Sequence, residues 1–466
     1  MTAPSTRVAS GGANPTQQTT ERWTAFALVA LVAAAALDIT GRIAEVGPAR
    51  FTLYQLLALA LVLLTAWRLV RERAHGVHGA LKTPLTVPLA AFLGTAALSL
   101  VFATELAPAV VQLLSLTSSV VLVFVVAVLV RSPRAGALVA GGVLAVAAVF
   151  GVLAILEWGG VVSVQSDVFF TPGYGIRARV TFLDPNILAS FLMSAILLAT
   201  PLLAVAPMKR SLRVAGVCAA AVALVGLAAT YSRGGLGGLV IGLVAIALVM
   251  RAPRTVRFAF VAVMVLAVLV AGALVFDAQW VEENVVGAGE TGSATNRVYM
   301  VEGALAMWRD HPFGVGLDNY QVVYPGYRDP RADAGITESH TAYVTVLAET
   351  GFLGLLAFVW VLAAFFLRTA LPVVRRARDL TLHALAVGAF AAALALAAQA
   401  FTYSLEASKF WWFAIGLGVA AWRMLSADEE PLAGAGMPSA PHGGPAPRIE
   451  AAEALPEPAE RELTLT

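Results

Sequence analysis

A dozen stretches of this chain are long and apolar enough to cross a lipid bilayer, and that constrains its fold more than any other feature. A spanning helix needs ~20 apolar residues, because the hydrocarbon core is ~30 Å thick and a helix rises ~1.5 Å per residue. The segments fall at 23–39, 51–70, 83–102, 106–130, 135–158, 185–206, 214–231, 236–250, 258–276, 341–367, 380–403 and 410–425. They predict an all-α polytopic membrane protein with about twelve transmembrane helices. Composition agrees, since 466 residues that are 59% apolar and 13% charged do not make the three or so soluble domains that ~150 residues each would allow. The 31 basic and 29 acidic residues nearly cancel, so no global attraction to nucleic acid is expected. The single cysteine, Cys218, excludes an intrachain disulfide framework and a thiolate metal cluster.

Lys and Arg accumulate in cytoplasmic loops because basic residues resist translocation. Here they recur in alternate connections: Arg68, Arg71, Arg73 and Lys82; Arg131 and Arg134; Lys209, Arg210 and Arg213; Arg251, Arg254 and Arg257; Arg368, Arg375, Arg376 and Arg378. That alternation predicts both termini inside and one long loop, 277–340, outside, carrying short amphipathic helices. Residues 1–22 are polar, lack the pattern of a cleavable leader and are expected to be a disordered cytoplasmic N-terminus. The expected membrane domain is 23–425, and the Pro-, Ala- and Glu-rich 426–466 are expected to form a disordered cytoplasmic tail. A twelve-helix carrier of the major facilitator type would hold its long loop inside, between helices six and seven, where this chain has only about seven residues.

Arginines on the outer face run against the positive-inside bias, so each invites a reason. Arg177 and Arg179 lie in GIRARVTFLDPNILASF, where Asp184 is a natural N-cap, Pro185 suits the first helical position and Asn186 follows. Arg233 lies in YSRGGLGG, between two apolar runs. A guanidinium at membrane depth costs at least ~2.5 kcal/mol and so faces a polar cavity or a partner, the alternative being a side chain that snorkels to the headgroups. In the long loop, ATNRVYMVEGALAMWRDHPFGVGLDNY reads as an amphipathic helix with Val298, Val301, Leu305 and Trp308 on one face. Arg297 and Arg309 bracket that helix, and Gly314 and Gly316 beyond it permit close backbone approach to a ligand. His340 opens the next helix, in TESHTAYVTVLAETGFLGLL, where an imidazole can take a proton from a sugar hydroxyl near neutral pH or serve only as an interfacial anchor. Glu349, nine residues further and ~13 Å along the helix, calls for a partner, an inward arginine being the obvious one.

The order RARVTFLDPN, YSRGG, NRVYMVEGALAMWRDHPFGVGLDNY and SHTAYVTVLAETGFLG resembles the O-antigen ligase and O-antigen polymerase superfamily over about 177–354. The resemblance implies a GT-C-like membrane fold and glycan transfer on the outer face of the cytoplasmic membrane. The donor would be a polyprenyl diphosphate-linked glycan, and the acceptor a hydroxyl of a glycan, a lipid or the cell wall. It also implies that Arg233, Arg297 and His340 are catalytic and that Arg177 or Arg179 meets the diphosphate. Asn186, Arg309, Gly314, Gly316 and Glu349 join these as candidate substrate-binding positions. No cofactor or metal is expected. Two departures stand out: Thr341 occupies a position where Asn often follows the histidine, and Thr181 one where Gly commonly precedes the Phe. One compact arginine set around a single candidate base favours ligase-type transfer over polymerisation. The competing classes are a lipid-linked oligosaccharide flippase or transporter and a shape-and-division peptidoglycan polymerase, whose catalytic carboxylate in a large outer loop is not identifiable here.

The loop alternation makes a direct topological prediction. In a Cys218→Ala background, Ser293→Cys should react with an impermeant maleimide in intact cells, and Ser211→Cys should not. The opposite labelling pattern would invert the topology.

Overall fold

The computed structural model describes residues 15–37, 42–46, 49–71, 81–165, 169–171, 175–251, 293–332 and 339–434, with a few isolated positions besides. The expected span at 258–276, and 277–292 of the long loop, lie outside those residues apart from such isolated positions. The chain divides into two units, Met1–Ser426 and Ala427–Thr466, of which the second is described only as far as Gly434.

The fold is that of an all-α polytopic membrane protein. In chain order its helices are α1 (Pro15–Ala36), α2 (Leu53–Arg71), α3 (Thr86–Ser99), α4 (Leu106–Leu129), α5 (Pro133–Trp158), α6 (Pro185–Val205), α7 (Arg210–Ala229) and α8 (Arg233–Val249). The long loop contributes α9 (Ser293–Asp310) and the short α10 (Tyr320–Val323). There follow α11 (Ala342–Arg376), which is π-helical over Ala364–Ala370, then α12 (Leu380–Gln399) and α13 (Lys409–Gly434). Eight of these are long and apolar enough to cross a membrane, and α8 and α3 with its 3-10 extension to Phe102 are shorter apolar helices. Two small antiparallel hairpins, Arg42–Val46 with Ala49–Thr52 and Phe170–Thr171 with Gly175–Ile176, are the strands among the described residues.

Helix α1 begins at Pro15, inside the stretch expected to be disordered to residue 22. Proline suits a first helical turn because its missing N–H has no helical partner to lose. The threonines behind it back-bond to Pro15 O and Thr16 O at 3.0 Å each. At the other end α13 runs on to Gly434, past the expected boundary at 425. Hydropathy locates the apolar part of a helix and misses a polar extension.

Helices α6 and α12 are buried over about four-fifths of their apolar windows and form the centre of the bundle. Close approach is set by small residues, which let helix backbones meet without a hydrophobic drive between them. A Cβ on Gly226 of α7 would lie 2.6 Å from Gly151 Cα of α5. That contact fixes the ends of both helices, Trp158 and Ala229, side by side.

Helix α11 is interrupted within its span. Gly351 takes φ 71° and ψ −176°, a conformation essentially confined to glycine. A break frees carbonyls that hydrocarbon cannot satisfy, so it must be buried in protein. The loop after α9 supplies the partners: Val315 N–H donates to Ala348 O at 2.9 Å and Gly316 N–H to Glu349 O at 3.0 Å.

The face of α9 that packs is Met300, Ala304 and Met307, which form a small core with Val315, Tyr320, Tyr324 and Ala348. The expected face of Val298, Val301, Leu305 and Trp308 lies to one side of it, and Val298 is 55% exposed. Both stripes have helical spacing. The stacked rings of Tyr320 and Tyr324, 5.1 Å apart, form the surface that selects the methionine stripe.

If the break at Gly351 is built in, Gly351→Ala should lower the thermal unfolding midpoint of the detergent-purified protein. A φ near +71° alone costs ~1–3 kcal/mol, and a Cβ there would also lie 2.5 Å from Pro312 O. Gly94→Ala, where a Cβ meets nothing within 4 Å, is the control and should be neutral or stabilising.

Candidate active site

The predicted helix start at Asp184 is present. Its carboxylate accepts from Asn186 N–H at 2.6 Å, with Pro185 in the first turn of α6. Ser232 caps α8 in the same manner, accepting from Gly235 N–H at 3.1 Å. The two caps are joined, because Ser232 Oγ also donates to Asn186 Oδ1 at 2.7 Å. The C-terminus of α12 closes the group: Gln399 Nε2 donates to Asn186 O at 3.2 Å, and Ser190 Oγ donates to Gln399 Oε1 at 3.0 Å. Two helix N-termini therefore meet at one place, and the unpaired N–H groups and positive dipole ends of helices favour an anion there.

His340 is strapped to the same end of α12. Ala342 N–H donates to Ala400 O at 2.9 Å and Thr341 Oγ1 to Phe401 O at 3.2 Å. Ser339 bonds Thr345 through their hydroxyls, and Thr345 in turn meets Ser404 Oγ at 3.2 Å. The half-buried imidazole lies tilted against Tyr403, centroids 5.9 Å apart. Burial lowers its pKa below the ordinary 6.5, the Arg297 guanidinium pushes it down further, and the Asp184 carboxylate partly offsets both. The shift favours the neutral imidazole, which has one ring nitrogen able to accept a proton.

Arg177 and Arg179 sit on a segment pinned beside Ser232. Ala178 N–H donates to Ala229 O and Arg177 Nε to Thr230 O, both at 3.0 Å. The buried Glu157, at the end of α5, accepts from Arg179 N–H at 3.0 Å and Val180 N–H at 2.6 Å. Both guanidinium groups lie near the Phe169 ring, at 5.9 Å for Arg177 and 5.3 Å for Arg179. Arg179 is buried, whereas Arg177 is half-buried and Arg233, the first residue of α8, is exposed.

Three of the four non-glycine residues with positive φ among the described residues flank this site: Val180 at 55°, Tyr231 at 52° and His340 at 48°. For a β-branched valine this is a genuine outlier. Backbone strain of ~1–3 kcal/mol per residue persists only where the surroundings over-determine it, commonly at active sites.

Four expected residues lie elsewhere. Arg309 ends α9, twelve residues and ~18 Å along the helix from Arg297. Gly314 and Gly316 approach protein backbone instead of an open ligand site: a Cβ on Gly314 would collide with Glu349 O, and one on Gly316 would lie 2.6 Å from Ala103 Cα. Glu349 accepts from Tyr320 N–H at 3.3 Å, so a loop amide fills the place expected for an arginine. The first N–H of α10 needs a partner as well, and the sequence pattern does not distinguish it from a guanidinium. Conversely, Glu157, Ser232 and Gln399 were not anticipated. The one signal for Gln399 is a lone amide in an alanine-rich helix, and for Ser232 its position one residue before Arg233.

Beside the cluster, a cavity of about 240 Å³ opens between Phe182 and Ile187 on one side and Ser404, Glu406, Lys409 and Phe410 on the other. Residues 218–359 match the family model described as O-antigen ligase. That match supports assigning the chain to the O-antigen ligase/polymerase superfamily. The O-antigen ligase match contains Arg233, Arg297, Arg309, Gly314, Gly316, His340 and Glu349, and stops short of Arg177, Arg179 and Asn186. The match indicates a membrane glycosyltransferase-like enzyme of the general ligase/polymerase kind, a family whose reaction implies a lipid-linked glycan donor and an acceptor in the membrane. No curated protein matches the chain.

The electrostatic partners of His340 carry a pH prediction. Arg297→Gln removes a repelling charge and should move the acid limb of the pH–rate profile to higher pH, whereas Asp184→Asn should move it lower. Acid limbs that stay at the wild-type pH in both variants would remove His340 titration from the rate. The lowered value also means that the unfolded chain takes up this proton first. Below about pH 6.5 the group therefore costs stability progressively until the depressed folded value is passed.

Proposed function

We propose that this protein transfers a glycan from a polyprenyl diphosphate carrier to an acceptor hydroxyl at the outer face of the cytoplasmic membrane. His340 is the general base, and Arg233 and Arg297 hold the diphosphate. The observation that carries this reading is the placement of a neutral, half-buried imidazole within electrostatic range of Arg297 and Asp184, tied to the end of α12 where α6 and α8 begin. In this reading the acceptor oxygen attacks the anomeric carbon while its proton passes to the imidazole. The bond from that carbon to the diphosphate oxygen breaks, and polyprenyl diphosphate leaves. A single displacement inverts the anomeric centre.

The protein's main task is then to place positive charge where the leaving group gains negative charge. Guanidinium groups bind phosphate oxygens in pairs and stay charged at any working pH. With that charge supplied by side chains and helix N-termini, transfer needs no divalent metal. Arg177 donates to Thr230 O near Ser232, and Glu157 fixes the backbone of Arg179. The ligase-type reaction is favoured over polymerisation because one base serves one arginine set, with Arg309 well removed from it along α9.

His340→Ala should lower transfer by ~10²- to 10⁴-fold with insertion and folding intact. Arg233→Lys and Arg297→Lys should be nearly as damaging as the alanine variants, since lysine keeps the charge and loses the paired fork. Wild-type rates in both lysine variants would reduce these arginines to membrane anchors. Given one lipid-linked oligosaccharide alone, the purified enzyme should make no ladder of longer products, and a ladder at repeat-unit spacing would establish a polymerase.

A further inference from the structure

A second cavity, of about 980 Å³, opens at the far end of the bundle, where α5 and α7 begin, α6 ends and α12 begins. Along α6 its wall residue Leu202 is sixteen residues, ~24 Å, from Asn186 in the candidate active site. Its wall is almost wholly apolar, with Leu138 and Leu203 set among small residues such as Gly141, Ala145, Ala215 and Ala219. Charge is confined to the rim, where Arg134 and Lys209 face Glu21 and Asp379.

The rim charges are not equivalent. The Asp379 carboxylate is committed to capping α12, accepting from Leu382 N–H at 2.7 Å. Arg134 and Lys209 are exposed, and among the described residues neither side chain has a hydrogen-bond or ion-pair partner. Arg210 follows Lys209 immediately and Arg213 lies one helical turn on, both adding to the positive potential at that edge. The arrangement is an apolar trough between membrane helices with free cations at its mouth. Basic pockets of this kind on the cytoplasmic side suit anionic lipid headgroups, and the volume is at the upper end of the ~300–1,000 Å³ usual for small-ligand sites. A free phosphate would leave the trough unfilled, whereas a phospholipid matches both parts.

We propose that this cavity is a binding site for an anionic phospholipid of the cytoplasmic leaflet, its acyl chain in the trough and its headgroup phosphate between Arg134 and Lys209. The site is separate from the donor site and requires no assumption about transfer chemistry.

Gly141 provides a clean test, because a Cβ there meets no heavy atom within 4 Å and a larger side chain would grow into the trough. The full chain, purified in neutral detergent, is titrated with phosphatidylglycerol and separately with phosphatidylcholine. Thermal unfolding reports binding, and native mass spectrometry counts retained lipid. Wild type should retain one phosphatidylglycerol per chain and unfold at a higher temperature with it than with phosphatidylcholine. Gly141→Phe should abolish retention of either lipid. The pair Arg134→Ala and Lys209→Ala, on exposed side chains that do not challenge folding, should weaken phosphatidylglycerol by ~30-fold and leave phosphatidylcholine unchanged. Equal responses to the two lipids in wild type, or phosphatidylglycerol binding unaltered in the charge pair, would overturn the proposal even if Gly141→Phe failed to fold.

Discussion

A backbone amide or carbonyl in hydrocarbon must have a partner, and the structure depends on how that demand is met where helices stop. Within a span the helix satisfies itself. At its ends, up to four donors or acceptors are left over. Here the ends of α6, α8 and α12 meet at Asn186, to which the Ser232 cap ties α8 and Gln399 ties α12, while Asp184 caps α6 itself. The break in α11 is met by the same logic, with the 312–320 loop donating to the carbonyls released at Ala348 and Glu349.

The polar junction that results is also the place where chemistry becomes feasible. Helix N-termini supply fixed dipoles, and arginines supply charge that cannot titrate away. Burial and Arg297 lower the basicity of the imidazole and keep it from holding a proton at rest, while Asp184 partly offsets them. Positive φ at Val180, Tyr231 and His340 indicates that the surrounding ties, Glu157 to Val180 N–H among them, hold the backbone in place against its own preference. Such strain is affordable only because the bundle below is rigid: α6 and α12 are its most buried spans together with the apolar window of α13.

The spans were legible in the sequence because burial in lipid is written into every residue of a segment. Eleven of the twelve expected segments coincide with described helices, eight of which are long and apolar enough to cross a membrane, and the twelfth lies outside the described residues apart from isolated positions. Caps were legible where a short polar side chain precedes a proline, as at Asp184 and Pro185. Tertiary choice was not. Periodicity in α9 permits two faces, and only the Tyr320–Tyr324 stack decides between them. The glycines at 314 and 316 signalled close approach correctly, yet nothing in the local pattern tells backbone from ligand. Gln399 and Glu157 matter through partners more than twenty residues away, a relation that no local pattern contains.

The two proposed sites lie at different ends of the bundle, one built around His340 and the other around an apolar trough lined in part by Arg134 and Lys209. The central claim concerns the first. A cryo-EM structure of the full chain with bound polyprenyl diphosphate tests it most directly. The diphosphate should lie ~3 Å from the guanidinium groups of Arg233 and Arg297, with its terminal phosphate directed towards the His340 side, where the sugar and acceptor would sit. A diphosphate seated away from His340, or held at the Arg134 and Lys209 end, would contradict the account.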